Sequence, residues 1–169
     1  MPYENNIDLN ANNLKNPDIN FLAPNAFKLV IDNTTYQNVQ YLVQTASIPD
    51  ISLSPAPTNS MMRNIGAAGD KITYSPLELT FLVDENLKNY REIHDWIIGQ
   101  LTKNSEFGDG KVRDVTLMIL SSHNNVVQEI QFVDAYPISL SSLTFESNTP
   151  DINYLTASVT FEYSYYKLL

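Results

Sequence analysis

The sequence predicts a mainly β protein, an antiparallel β-barrel or sandwich with one flanking α-helix at about residues 85–101 and a long projecting loop or hairpin. Three observations carry that expectation. Apolar and polar residues alternate in stretch after stretch, most cleanly over Leu77–Val83 and Tyr154–Tyr166, which is the period of a half-buried strand. One stretch alone recurs at helical spacing, so the βαβ rhythm of a parallel sheet is missing. The segment Ser47–Gly69 holds Pro49, Pro55 and Pro57, which deny it the middle of a sheet, yet it is too apolar for an ordinary surface loop.

Taken in order, residues 1–24 read as a polar, Asn-rich arm, and residues 25–169 as the β domain. The arm's Ile7, Leu9, Leu14, Ile19, Phe21 and Leu22 are more apolar than a solvated tail requires, which suggests that it docks. Phe27, Leu29 and Ile31 mark a first strand. After the Asp32-Asn33 turn signal, Thr35–Thr45 is β-rich enough to pair back on it as a hairpin. The Ser47–Lys71 loop carries the candidate contacts with neighbouring subunits: Ile48, Pro49, Ile51, Leu53, Met61, Met62, Arg63, Ile65, Gly69, Asp70 and Lys71. Methionines pack adaptably, which suits a contact surface. The plainer alternative is a loop folded across its own barrel.

Lys71–Val83 is a strand interrupted at Pro76. Asp84 is placed to cap the helix, and Leu87, Tyr90, Ile93, Ile97 and Leu101 make its apolar face, with Trp96 and Ile98 at the flanks. Phe107-Gly108-Asp109-Gly110 should end it. Val112–Leu120 and Val126–Val133 form a hairpin around Ser121–Asn125, and Asp134–Ser147 holds a further strand after Pro137. In the closing strand Tyr163 and Tyr165 share the apolar face. Tyr166 points the other way and joins the interface candidates.

Composition narrows the function classes. The chain has 169 residues, enough for one domain, and its formal net charge is −9. No basic cluster exists to hold phosphates, so a nucleic-acid reader is not expected. Charged residues make up only 17% of the chain, below the roughly 25% of ordinary soluble domains. A surface poor in charge and rich in Asn, Ser and Thr suits extensive protein contact. With no cysteine, disulfides and thiolate metal sites are ruled out. No apolar run reaches membrane-spanning length, so no membrane insertion is expected, and no signal peptide is read in the first twenty residues.

Catalytic chemistry is not visible either. His94 reads as a surface partner of Asp95 and His123 as a turn residue, and neither stands among metal-ligand spacings. The Gly66-Ala67-Ala68-Gly69 run lacks the Gly-Lys-Ser/Thr end of a phosphate loop. No catalytic, cofactor-binding or metal residue is assigned, and the chain is not expected to be an enzyme.

The order of motifs is what points further. Ser47-Ile48-Pro49 ends an early strand. Arg63-Asn64-Ile65-Gly66-Ala67-Ala68-Gly69-Asp70-Lys71 precedes the strand Leu77–Val83. Asp84-Glu85-Asn86 then opens a helix bearing Arg91 and Trp96, and Asp134-Ala135-Tyr136-Pro137 comes before the last strand. In this series the chain resembles the tail tube proteins of contractile-tailed bacteriophages. The resemblance implies a structural subunit that forms hexameric rings, stacked into a hollow tube through which DNA passes without specific binding. It further implies a virion tail component assembled in the host cytoplasm, with the tail sheath, baseplate and tail terminator proteins as partners. The arm at 1–24 departs from the usual family start, which leaves room for a tube initiator or baseplate-proximal protein. A small-ligand-binding β-barrel is the reading from another class.

Overall fold

The computed structural model describes residues 22–31, 42–58, 65–101, 112–148 and 153–169. Within them lie strands β1 (Phe27–Ile31), β2 (Val43–Ala46), β3 (Ile51–Leu53), β4 (Ala56–Thr58), β5 (Ile65–Ala67), β6 (Ile72–Tyr74) and β7 (Leu77–Leu82). Helix α1 (Lys88–Leu101) follows, then β8 (Arg113–Leu120), β9 (Val126–Leu140), β10 (Thr156–Glu162) and β11 (Tyr165–Leu168). Every pairing among them is antiparallel. The mainly β expectation holds, with one helix on the flank.

The main sheet runs β1-β8-β9-β10-β7-β2, with β11 also on β9. It folds into two layers because two chain segments bend. β9 is a single strand of 15 residues, Val126–Leu140, which corrects the expectation of one strand at Val126–Val133 and a separate one after Pro137. Its first part pairs with β8 and β11, and its last part, Tyr136–Leu140, with β10. The bend falls at Asp134, which takes a left-handed conformation, φ 55°. Asp114 braces it: its Oδ1 accepts the Asp134 N–H at 3.2 Å, and its Oδ2 accepts from Gln131 Nε2 at 2.9 Å.

The second bend corrects the expectation of one strand over Tyr154–Tyr166. Pairing stops after Glu162 and resumes at Tyr165, so the alternation changes phase. Tyr163 remains buried, Tyr165 turns outward, and Tyr166 turns back toward the core. Another correction concerns the first strands. β2 does not return onto β1 as a hairpin: β1 pairs with β8, and β2 with β7 in the opposite layer. The β8–β9 hairpin forms as expected, with Asn124 at φ 60° in its turn and Ser121 Oγ accepting the N–H groups of His123 and Asn125.

The two layers and the helix share one core. Leu29, Val115, Leu117, Ile130 and Phe132 from one layer meet Leu77, Leu79, Phe81, Val159 and Phe161 from the other. Ile93 and Trp96 close it, with the Trp96 ring 5.6 Å from that of Phe161. Trp96 is thus at the centre of the helix contact and not at its flank, whereas Leu87 and Leu101 are exposed. The helix also starts later than Asp84. The Asp84 carbonyl closes a turn with the Leu87 N–H at 2.8 Å, and the Leu87 carbonyl accepts the first helical bond, from Arg91 at 2.9 Å. What fixes that start is Asn89, a fully buried polar side chain that links the helix to the end of β7.

Candidate functional site

β3 to β6 form the projecting hairpin expected between Ser47 and Lys71. Its strands pair as Ile51 with Tyr74 and Leu53 with Ile72, then as Ala56 with Ala67 and Thr58 with Ile65. Neither pair joins the main sheet. A two-stranded ribbon has two open edges, which is where Pro55 and Pro57 are tolerated, since neither can donate to a ladder. The ladder kinks where the backbone of Ser54 meets Gly69. A Cβ at Gly69 would overlap the Ser54 carbonyl oxygen, so only glycine fits there. Gly69→Ala should therefore splay the hairpin while leaving the core intact. The check is loss of amide-exchange protection at Ser54 and Ser75, whose N–H groups bond across the ribbon at 3.1 and 3.0 Å.

The ribbon is amphipathic. Cross-strand partners share a face, so Ile51, Leu53 and Ile72 lie together on one side, and Ser52 and Thr73 on the other. That apolar side is open to solvent: Ile51 is 56% exposed, Leu53 51% and Ile72 55%. An isolated two-stranded ribbon is marginal in water, and this one is held at its base. Tyr74, on the apolar face, packs against Tyr163 and Tyr166 with ring centroids 6.0 and 5.4 Å away, and Phe132 lies 5.1 Å from Tyr163. The Tyr163 hydroxyl donates to the Ser75 carbonyl at 2.7 Å. Four aromatic rings at the bend of the main sheet thus aim the hairpin.

A phage tail tube protein family model matches residues 10–169. The chain belongs to the phage tail tube protein family. The tail tube terminator protein of Enterobacteria phage T4 is 28% identical over 134 residues, covering 74% of this chain and 75% of the T4 protein. The sheath/tube terminator of the extracellular contractile injection system PVC has the same fold, with a TM-score of 0.67 at 14% identity over 90% of this chain and 99% of that one. So does a chain of the anti-feeding prophage baseplate, at a TM-score of 0.63 and 13% identity over 89% and 97% of the two chains. This is a tail-tube-related structural protein, and no catalytic activity is indicated for it.

The contact candidates of this tail tube family protein fall into three groups. Ile48, Ile51, Leu53, Asp70 and Lys71 are exposed on or beside the hairpin. Gly69 shapes its kink, Ile65 lies in β5, and Met61, Met62 and Arg63 lie outside the described residues. Pro49 and Tyr166 do not share the exposed position: Pro49 is buried at the root of the hairpin, and Tyr166 is half-buried in the aromatic anchor. The phase change at Ser164 is what turns Tyr166 inward. Sequence reading missed Tyr74 and Phe132 as parts of that anchor. The one available signal was the density of tyrosine, 10 in the chain. Elsewhere, His94 Nδ1 and Asp95 Oδ1 form the surface pair expected on the helix, 3.1 Å apart.

Tyr163 also carries a pH signature. Burial, then the neighbouring Tyr166, Tyr74 and Glu162, push its hydroxyl up to about 12 from 10.0. The neutral phenol is the form that the fold favours, so its contribution is complete below pH 10 and is lost as pH rises toward 12. Tyr163→Phe should cost about 1 kcal/mol at neutral pH through the lost bond to Ser75. It should also flatten the fall in stability between pH 10 and 12, read from urea melts across that range.

Proposed function

We propose that this protein forms the ring that terminates the tube of a contractile phage tail. The observation that carries this reading is the similarity to the T4 tube terminator over three-quarters of both chains. Six copies closing head-to-tail make a ring around a lumen, since a heterologous contact closes when its rotation does. One face of the ring seats on the last ring of the tube, and the sheath and neck components surround it. The ring belongs to the virion and is assembled in the host cytoplasm.

The structure offers surfaces suited to these tasks. The hairpin presents an uncovered apolar face for a neighbouring subunit. The outward face of β2, β7 and β10 displays Thr45, Glu78, Thr80, Thr156, Ser158, Thr160 and Glu162, and these strands hold no Lys or Arg. Such a face suits a lumen wall past which DNA slides, because it offers no counter-charge to bind.

The family description itself favours a second reading, the repeating subunit of the tube. Light scattering and negative-stain microscopy of the purified chain separate the two. A terminator gives closed rings of six 19.1-kDa copies, about 115 kDa, that cap the ends of added tubes. A repeating subunit grows into long hollow rods on its own. A protein that stays monomeric at high concentration, with or without tubes, overturns both.

A further inference from the structure

At the Leu82 end of β7, a cleft of about 600 Å³ opens beside the turn that leads into α1. Leu82, Leu87, Phe145, Tyr154 and Leu155 give it apolar walls, and Asp84 and Glu85 add two carboxylates. No lysine or arginine lines it. Neither acid has a cation of its own: the one ion pair among the described residues joins His94 and Asp95. Asp84 Oδ2 accepts only a long bond from the Asn86 N–H, 3.3 Å. The strands around the cleft are already paired, Leu82 N–H to Leu42 carbonyl at 2.9 Å and Val83 N–H to Leu155 carbonyl at 2.8 Å. An occupant is therefore held by side chains and not by adding a strand. Leu87 stands at φ 55°, a backbone region that leucine seldom adopts, and lines the cleft while 39% exposed. Phe145 is 73% exposed and Tyr154 80%. Large side chains left this open at one place mark a surface that another body covers.

We infer that this cleft binds a short segment of a different protein, one in which a bulky apolar side chain is flanked by lysine or arginine. The walls take the apolar side chain, and Asp84 and Glu85 take the cations. Charge selects this occupant. A body without cations would strip water from two carboxylates and give them no partner, which is costly. The apolar ribbon of a second copy is such a body, since β3 and β6 hold no lysine or arginine. A nucleic acid would set its phosphates against the same acids. The openness of Phe145 and Tyr154 suits a segment laid across the cleft, whereas a small-molecule site encloses most of its ligand. The net charge of −9 on the chain steers a cationic segment toward it. One copy supplies the whole cleft, so binding is read on the chain whether or not six copies close into a ring.

Three fluorescein-labelled peptides test this against the purified full chain by fluorescence anisotropy: Ser-Lys-Leu-Phe-Lys-Ser, its glutamate counterpart Ser-Glu-Leu-Phe-Glu-Ser, and Ser-Lys-Ser-Ser-Lys-Ser, which keeps the charge and lacks the apolar pair. The first should bind at least tenfold more tightly than either of the others. Asp84→Asn/Glu85→Gln should weaken it at least tenfold, and so should Phe145→Ser, with far-UV circular dichroism unchanged in both. Asp95→Asn/Glu129→Gln removes two charges from outside the cleft and should leave binding within twofold. Binding that falls equally in the two charge variants, or that survives Phe145→Ser, is diffuse attraction to an acidic protein and overturns the site. Equal affinity for the lysine and glutamate peptides overturns the role given to the acids. No saturable binding of any of the three peptides overturns the proposal outright, and leaves the ring reading, which is judged by assembly, untouched.

Discussion

Replacing Asn89 with alanine should destabilise the protein by about 3–5 kcal/mol, a large share of the roughly 5–15 kcal/mol that holds a domain folded. Asn89 is the one buried polar residue among the described residues, and it has no exposed atom to spare. Its Nδ2 donates to the Leu82 carbonyl at 2.6 Å. Its Oδ1 accepts from the Asp84 N–H at 3.1 Å and from the Tyr90 N–H at 2.9 Å. Alanine removes the partner of all three part-buried backbone groups at once, and each buried group left without a partner costs about 1–3 kcal/mol. The helix start then loses its link to β7, and Ile93 and Trp96, which close the core, lose their seat. Urea denaturation followed by tryptophan fluorescence measures the loss, since Trp96 is the only tryptophan. Asn89→Asp adds a pH test. An ionised carboxylate would face the Leu82 carbonyl, whereas a protonated one can donate to it. Burial raises the introduced group's folded pKa, so the variant should recover stability as pH falls and lose it again as pH rises. A variant whose deficit is the same at pH 4 and pH 8 would contradict this account.

Replacing Ile51 and Leu53 together with aspartate should abolish assembly while leaving the monomer folded. Both side chains lie on the solvent-open face of the ribbon, away from the shared core, so their loss removes no packing from the fold. In the contact, however, each apolar side chain contributes about 1.5–3 kcal/mol on burial, and each aspartate must be stripped of water without a partner. Together these shift association by more than about 4 kcal/mol, a factor of roughly a thousand at every subunit boundary. Size-exclusion chromatography should show monomer alone, with circular dichroism unchanged. Ser52→Asp is the control. It adds one negative charge, between the two positions but on the opposite face of the ribbon, and should assemble normally. Assembly of the double variant at normal yield would remove the hairpin from any contact role.

Much of the fold could be read from local alternation. β7, β8 and β10 bury Leu77, Leu79, Phe81, Val115, Leu117, Val159 and Phe161 at every second position, because a pleated strand puts successive side chains on opposite faces. The hairpin was legible for a related reason. Its prolines barred it from the sheet interior, while its apolar residues at two-residue spacing still asked for strand geometry. The order of these motifs along the chain was enough to point to the tail tube family.

Other features depend on which distant residues meet. Alternation says that a strand has an inner face and not which strand lies beside it, so Thr35–Thr45 looked like the partner of β1, when its last residues lie in β2 and pair with β7. The bends at Asp134 and at Ser164 arise where one segment must serve two layers. A side-chain bond from Ser164 Oγ to Asp134 Oδ2, 3.2 Å, joins them across 30 positions of chain. That phase change moved Tyr166 from candidate interface to aromatic anchor. Asn89 and Pro49 are buried although their types usually face water, because the tertiary fold supplies amide partners for the one and a hairpin root over the other. Periodicity is written into a few neighbouring residues; partner choice, bends and the burial of a polar group are decided only when separate segments compete for the same interior.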